Sequence, residues 1–375
     1  MLHEATFEGS EPVVRLLLDA GADKEMKDID GRTQLHHAVC NRHEAITHLL
    51  LEAGVDKEPK EKDGQSLLHS AVRGSYSRDG LPLATLRLLL EASVEMEVKD
   101  NGGRSPLHDA ADKGYDAIVR LLLEAGADKE VKDNNGRSPL HHATSQGSEA
   151  TIRLLLEAGA NKEAKDNHDQ SPLYLAATSI YGADKITRLL LDTGADKEVK
   201  DNDGRTPLHH AVHGGRREDA IRVLLEVGAD LEAKSLLYYA AITIYKYNEI
   251  VCLLFEVDTD KNCKDLYSNT PLYYTVGEVS NNVKCICVLL KVGADVEAKD
   301  NDDQSSLYHV AIAIYGYDEI VRLLLEAGVD RQAQNKNGRS PLHLATEKGH
   351  EPTLRLLFEA GAEYTTRDNV TGGTN

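Results

Sequence analysis

The chain has 375 residues, 41% of them apolar, and its 62 acidic against 43 basic side chains give a net charge of -19. That charge repels phosphate backbones and anionic lipid, which argues against nucleic acid and membrane surfaces and favours a protein partner with a basic face. No run of eighteen apolar residues occurs, and the N-terminal MLHEATFEGS lacks the basic run and apolar stretch of a signal peptide.

One unit of helix, helix and polar turn is written along the whole chain. A partial unit occupies 2–27, where LHEATF matches the middle of a first helix; either it serves as a rough cap or the chain comes from a larger protein. Full units follow at 28–60, 61–99, 100–132, 133–165, 166–200, 201–234, 235–264, 265–299, 300–334 and 335–367, with a tail or truncated repeat at 368–375. The segment 100–132 is followed at once by a near copy, 133–165, so the period is 33 residues. A period of that length means stacked repeats, about eleven here, forming one domain over 2–367.

The 100–132 unit shows why each element forms. Ser105 is placed to cap the first helix and Pro106 takes the first helical position, where it loses no hydrogen bond. Leu107, Ala110 and Ala111 then fall at i, i+3 and i+4, and Gly114 ends the helix. The second helix sets Ile118, Leu121, Leu122 and Ala125 on one face, and Gly126 follows where a left-handed residue is needed. Neither helix can bury its face alone, so neighbouring units must stack.

The tetrapeptides SPLH (105–108, 138–141, 340–343), TPLH (206–209), SPLY (171–174) and TPLY (270–273), each about twenty residues before LLLEAGAD or a variant, resemble the ankyrin repeat signature. The resemblance covers nearly all of the chain. It implies an all-α repeat solenoid, curved and right-handed, of stacked helix-turn-helix repeats with β-turn or hairpin tips. The first helices would line a concave face, and the function implied is a non-enzymatic scaffold that binds other proteins. An adaptor fragment whose effector domain lies outside this chain is the alternative, and a His-cluster metalloenzyme is a remote third. By the same resemblance, asparagine hydroxylation would fall on the GADxN position, which is Glu25, Glu130 and Glu198 in most units and leaves Asn262 as the one match.

Chemistry of the chain's own has little to stand on. The pairs His36-His37, His141-His142 and His209-His210 offer imidazoles suited to zinc or copper. Adjacent helical residues point about 100° apart, however, so one pair cannot close on one ion. The first member of each also shares the repeat position of His3, His69, His108 and His343, where the family's histidine bonds local and neighbouring backbone. Carboxylates such as Asp128, Glu130 and Asp133 recur in every unit, whereas catalysis needs a unique constellation, and no phosphate loop is present. We therefore expect no cofactor and no metal. Five cysteines without CxxC spacing suit a reducing compartment, the cytoplasm by default with the nucleus left open, and the protein is expected to be a monomer.

Function belongs where units differ. The tip arginines Arg32, Arg104, Arg137, Arg205 and Arg339 and the first-helix residues Asp112, Lys113, Ser145, Gln146 and His213 lie where ankyrin proteins contact partners, with Asp109 and His142 just after the repeat histidine beside them. For the arginines the plainer reading is hydrogen bonding within each tip, to residues such as Asp30, Asn135, Asp203 and Asn337. A second repeat subtype replaces the repeat histidine with Tyr174, Tyr238, Tyr273 and Tyr308 and adds two residues between the helices. It brings Tyr181, Tyr245, Tyr247, Tyr315 and Tyr317 near the inter-helix loops, either as interface residues or as packing over the next unit, with packing preferred. Two units break the pattern. Lys234 runs straight into Ser235 with no DNDGR-like turn, Asp258 stands where a helix-ending glycine belongs, and unit 61–99 carries an insertion within SYSRDGLP and Ser93 in place of that glycine.

Overall fold

In a repeat of this kind the N-cap residue is extended and its side chain must satisfy the first free amides of the helix. The computed structural model describes residues 1–74, 83–179, 182–213, 218–230, 261–262, 264, 267–276, 283–312 and 317–363. Ser66, Ser105, Ser138 and Ser340 all sit at φ near -90° with extended ψ, each closing a capping box with the histidine three residues on. Proline follows directly in several units, as at Pro106–Lys113 and Pro139–Gln146.

The chain divides into two compact units, Met1–Arg205 and Thr206–Asn375. The first holds six helix pairs: Leu2–Phe7 with Glu11–Asp19, Gln34–Cys40 with Glu44–Glu52, Leu67–Arg73 with Leu83–Glu91, Pro106–Lys113 with Asp116–Glu124, Pro139–Gln146 with Glu149–Glu157, and Pro172–Thr178 with Ala183–Asp192. First helices pack on the first helices of adjacent repeats and second helices on second, in two layers. Between the first helices a Leu-x-x-Ala stripe repeats as Leu35/Ala38, Leu68/Ala71, Leu107/Ala110, Leu140/Ala143 and Leu173/Ala176, every member buried. The alanines keep the helices close, and each buried leucine contributes about 2 kcal/mol. Stacking does the burying: Val13 in the first repeat is 44% exposed, whereas Ile46 and Ile118 at the same repeat position have a repeat on either side and are fully covered.

The second unit shows four helix pairs among its described residues: Pro207–His213 with Glu218–Glu226, Pro271–Val276 with Val283–Lys291, Ser306–Ile312 with Asp318–Glu326, and Pro341–Lys348 with Glu351–Glu359. Leu208, Leu224, Leu272, Ile286, Leu307, Leu324 and Leu357 form its core at 0% exposure. The ten pairs of the two units fall within the repeats read from the sequence. Lys234, Ser235, Asp258 and the 75–82 insertion lie outside the described residues.

Helix ends obey the expected backbone logic. Gly114 and Gly126 take φ of 66° and 95°, in the left-handed region. Ser93, in the place of such a glycine, adopts the same region at φ 59° and carries a strain of about 1 kcal/mol for it. The connecting segments are turns, and the described residues hold one isolated antiparallel bridge, Lys299 with Ser305, at the base of a finger.

Candidate interaction surface

Each finger is built on its first aspartate. Asp100 Oδ1 accepts the backbone N–H groups of Gly102 and Arg104 at 2.9 Å each, and the Gly103 N–H closes the turn onto the Asp100 carbonyl. Asp28, Asp133, Asp166, Asp201 and Asp300 repeat this arrangement. Burial alone would push the Asp100 and Asp133 carboxyls up, but the backbone amides, with Arg73 and His142 respectively, hold both below the usual carboxylate range.

Adjacent fingers are joined by rungs that explain the recurrent charges. Glu25, Glu97, Glu130 and Glu163 each reach forward to accept the backbone N–H of Asp56, Asp128, Asn161 and Asp196 at 2.7–2.9 Å. Asn262 Oδ1 makes the same rung to Asp295 at 2.8 Å, so Glu and Asn are equivalent here. Lys99, Lys132 and Lys165 bond the next repeat's carbonyl oxygen at 2.7–3.0 Å, and Asn134 and Asn167 reach back to the preceding finger.

The repeat histidines are structural links, as the resemblance implied. His108 Nδ1 accepts the Ser105 N–H at 3.0 Å, while Nε2 donates to the Arg137 carbonyl of the next finger at 3.0 Å. His69 and His141 reach Arg104 and Gln170 in the same way. Burial pushes His36, His108 and His141 down to about 4, so each ring is neutral at neutral pH. The residue after the repeat position turns elsewhere: His37 and His142, and His309 after Tyr308, bond Asp28, Asp133 and Asp300 of their own fingers at 3.0, 2.9 and 3.1 Å. Among the described residues no three metal-ligating side chains converge.

Most of the tip arginines pair outside their own tip, which corrects the expectation of bonding within each tip. One oxygen of the finger aspartate is taken by backbone amides, and four of the five guanidinium groups leave their own tip, two of them for the following finger. Arg32 Nε pairs with Glu61 at 3.0 Å and Arg137 Nε with Asp166 at 3.3 Å, each in the following finger. Arg104 pairs with Asp109 and Asp112 at 3.0 and 3.2 Å on its own first helix, and Arg339 with Glu347. Arg205 does pair within its finger, with Asp203 at 3.3 Å.

Asp109, read from sequence as a contact residue, is 3% exposed and bridges Arg104 to Arg73 of the preceding repeat, so an interaction surface has to be drawn without it. His142 lies between Asp133 and Asp112, half-buried, with its ring edge-on to His108. The nearby His142 ring, together with Arg104, lowers the Asp112 carboxyl to about 2. Ser145 donates back to the His141 carbonyl at 3.0 Å. Lys113, Gln146 and His213 are exposed on the first helices and make up the accessible part of the set.

Four tyrosines of the subtype are described: Tyr174 and Tyr273 are half-buried, and Tyr308 and Tyr317 buried. Tyr308 is 5% exposed and accepts the Asn335 Nδ2 hydrogen bond at 2.6 Å, replacing the histidine's link to the next finger with a longer arm. Tyr317 is 8% exposed and precedes the second helix. The burial of Tyr308 and Tyr317 favours packing. Tyr181, Tyr238, Tyr245, Tyr247 and Tyr315 lie outside the described residues. Sequence reasoning passed over Tyr274 and His309, whose signal was the aromatic that follows the repeat position in LYY and LYH.

Two-layered helix pairs, capped by Ser/Thr-x-x-His and joined by hydrogen-bonded fingers, define an all-helical repeat protein. The chain belongs to the ankyrin repeat family: the model for three-copy ankyrin repeats matches residues 2–79, 125–201, 159–235, 178–265, 237–335 and 272–368, and that for many-copy repeats matches 89–143. Among solved structures, it is similar to the ankyrin repeat domain of Bcl-3, described as a unique member of the IkappaB protein family. The likeness has 31% identity and a TM-score of 0.53, and covers 60% of this chain and 97% of that one. No curated protein sequence matches the chain. Among the described residues no helix is long and apolar enough to cross a membrane.

Proposed function

We propose that the chain is a non-enzymatic scaffold, an array of repeats over 2–367 that binds a protein partner through its fingers and first helices, as a cytoplasmic monomer. One observation carries the reading. The residues that recur from unit to unit are engaged in capping and in rungs between repeats, while the first-helix ends differ: Lys113 and Gln146 hold equivalent ground with different chemistry, as do Asp112, Ser145 and the exposed His213 one position earlier. Differences on a constant frame are what recognition requires. A net charge of -19 favours a partner with a basic face.

The test is affinity capture with the wild type and with Lys113→Ala, Gln146→Ala and His213→Ala combined. These exposed residues are better probes than Arg104 or Arg137, whose removal leaves carboxylates of the array unpaired. The triple variant should keep its melting temperature and lose the partner at least tenfold; unchanged capture would move the site off the first helices.

A further inference from the structure

Repeat 265–299 departs from its neighbours where finger and first helix meet. The third finger position is Asp30, Asp63, Gly102, Asn135, His168, Asp203, Asp302 or Asn337 in other repeats and Tyr267 here. The Tyr267 side chain is 64% exposed, although a large ring gains by burial. Its backbone is nonetheless fixed, because its carbonyl accepts the Asn301 N–H of the next finger at 3.1 Å. Two residues on, Asn269 Nδ2 donates to the Tyr274 hydroxyl at 3.2 Å, tying the finger to the first helix.

On that helix Tyr273 and Tyr274 meet edge to face at 5.5 Å, and Tyr273 meets the His309 ring of the next repeat at 4.3 Å. All three rings are only half-buried, so each keeps area facing solvent. Carboxylates lie on the next finger: Asp300 accepts from His309 Nε2 at 3.1 Å, and Asp302, with Lys336 3.9 Å away, is 74% exposed.

We propose that Tyr267, Tyr273, Tyr274 and His309 form a docking patch for an arginine side chain presented by an extended basic segment of a partner protein. The proposal rests on the reading of the array as a protein-binding scaffold and gives that partner a chemistry. A guanidinium is flat and weakly hydrated, so it stacks on a phenol ring while its edge donates to a carboxylate; a lysine ammonium has no such plane. The chain's negative charge draws in a basic segment, and the rings then choose arginine over lysine. Packing alone accounts for Tyr308, which is buried, but gives no reason for an exposed ring at Tyr267.

Full-length protein is titrated with fluorescein-labelled nona-arginine and nona-lysine peptides at roughly physiological ionic strength, where the two carry equal charge. The wild type should bind the arginine peptide more tightly. Tyr267→Ser and Tyr274→Leu should each weaken that peptide about fivefold and leave the lysine peptide unchanged, while Tyr267→Phe, which keeps the ring, retains the preference. Tyr267 is exposed, so its variants fold whether or not Tyr274→Leu does. Equal binding of the two peptides, or an arginine preference that survives Tyr267→Ser and so comes from carboxylates alone, overturns the proposal. If that happens while the Lys113, Gln146 and His213 variant still loses a captured partner, the patch fails and the scaffold reading stands.

Discussion

Acid should dismantle this array well above the pH at which carboxylates titrate, and the repeat histidines set the window. His36, His108 and His141 have 0% exposure, and burial lowers each from 6.5 to about 4. Between pH 6.5 and 4 the unfolded chain therefore binds protons that the folded chain refuses. Stability is complete above pH 6.5 and falls as pH drops through the window. A shift of about 2.5 pH units corresponds to roughly 3 kcal/mol per ring once pH is below 4, and at pH 5.5 to about 1 kcal/mol each, so the three together cost a few kcal/mol there. That is a large fraction of the stability of an ordinary domain. Urea denaturation followed by circular dichroism from pH 8 to 4.5 reads the slope. His108→Gln keeps a capping side chain, since glutamine also fits the third position of a capping box, but cannot titrate. It should flatten the slope without abolishing it, because His36, His69, His141 and His309 are lowered by burial as well. A slope in His108→Gln equal to that of the wild type, or a wild type equally stable at pH 5 and pH 8, would refute the assignment of these buried rings as neutral in the folded chain.

Other substitutions probe the frame. Ser93→Gly relieves a left-handed residue and should raise stability by about 1 kcal/mol in the same denaturation assay. Gly103→Ala should lower it by 1 kcal/mol or more, because φ is +75° and the added methyl would meet the Asn134 side chain and, at 2.7 Å, its backbone nitrogen. Asp109→Ala removes the carboxylate shared by Arg73 and Arg104 and should cost about 2 kcal/mol, with faster hydrogen exchange in 61–74 and 100–132. From the sequence alone, the missing turn at Lys234-Ser235 and Asp258 should make 235–264 exchange before 100–165; equal protection would show a well-packed junction.

Much of this frame was legible because repetition makes each local signal redundant. Ser105, Pro106, His108, Gly114 and Gly126 announce caps and helix ends by chemistry that acts over a few residues, and the structure places them accordingly. The arginines were harder. Nothing local says that Asp100 satisfies the amides of Gly102 and Arg104, or that the guanidinium goes on to Asp109 and Asp112. Asp109 looked exposed because it follows the repeat histidine, yet its burial depends on Arg73, 36 residues earlier. The link from Tyr308 to Asn335 likewise joins two repeats, and pairings between repeats have no signature within either one.

The central claim, recognition through fingers and first helices, is tested most directly by site-specific photo-cross-linking. A photoreactive amino acid is placed at Lys113 or Gln146 on the first helices, and at Arg120 or Arg153 on the second, and the purified captured partner is added. Cross-links from Lys113 and Gln146 with none from Arg120 and Arg153 are the predicted outcome. Cross-links from the second-helix positions alone would place the partner on the opposite layer and contradict the account.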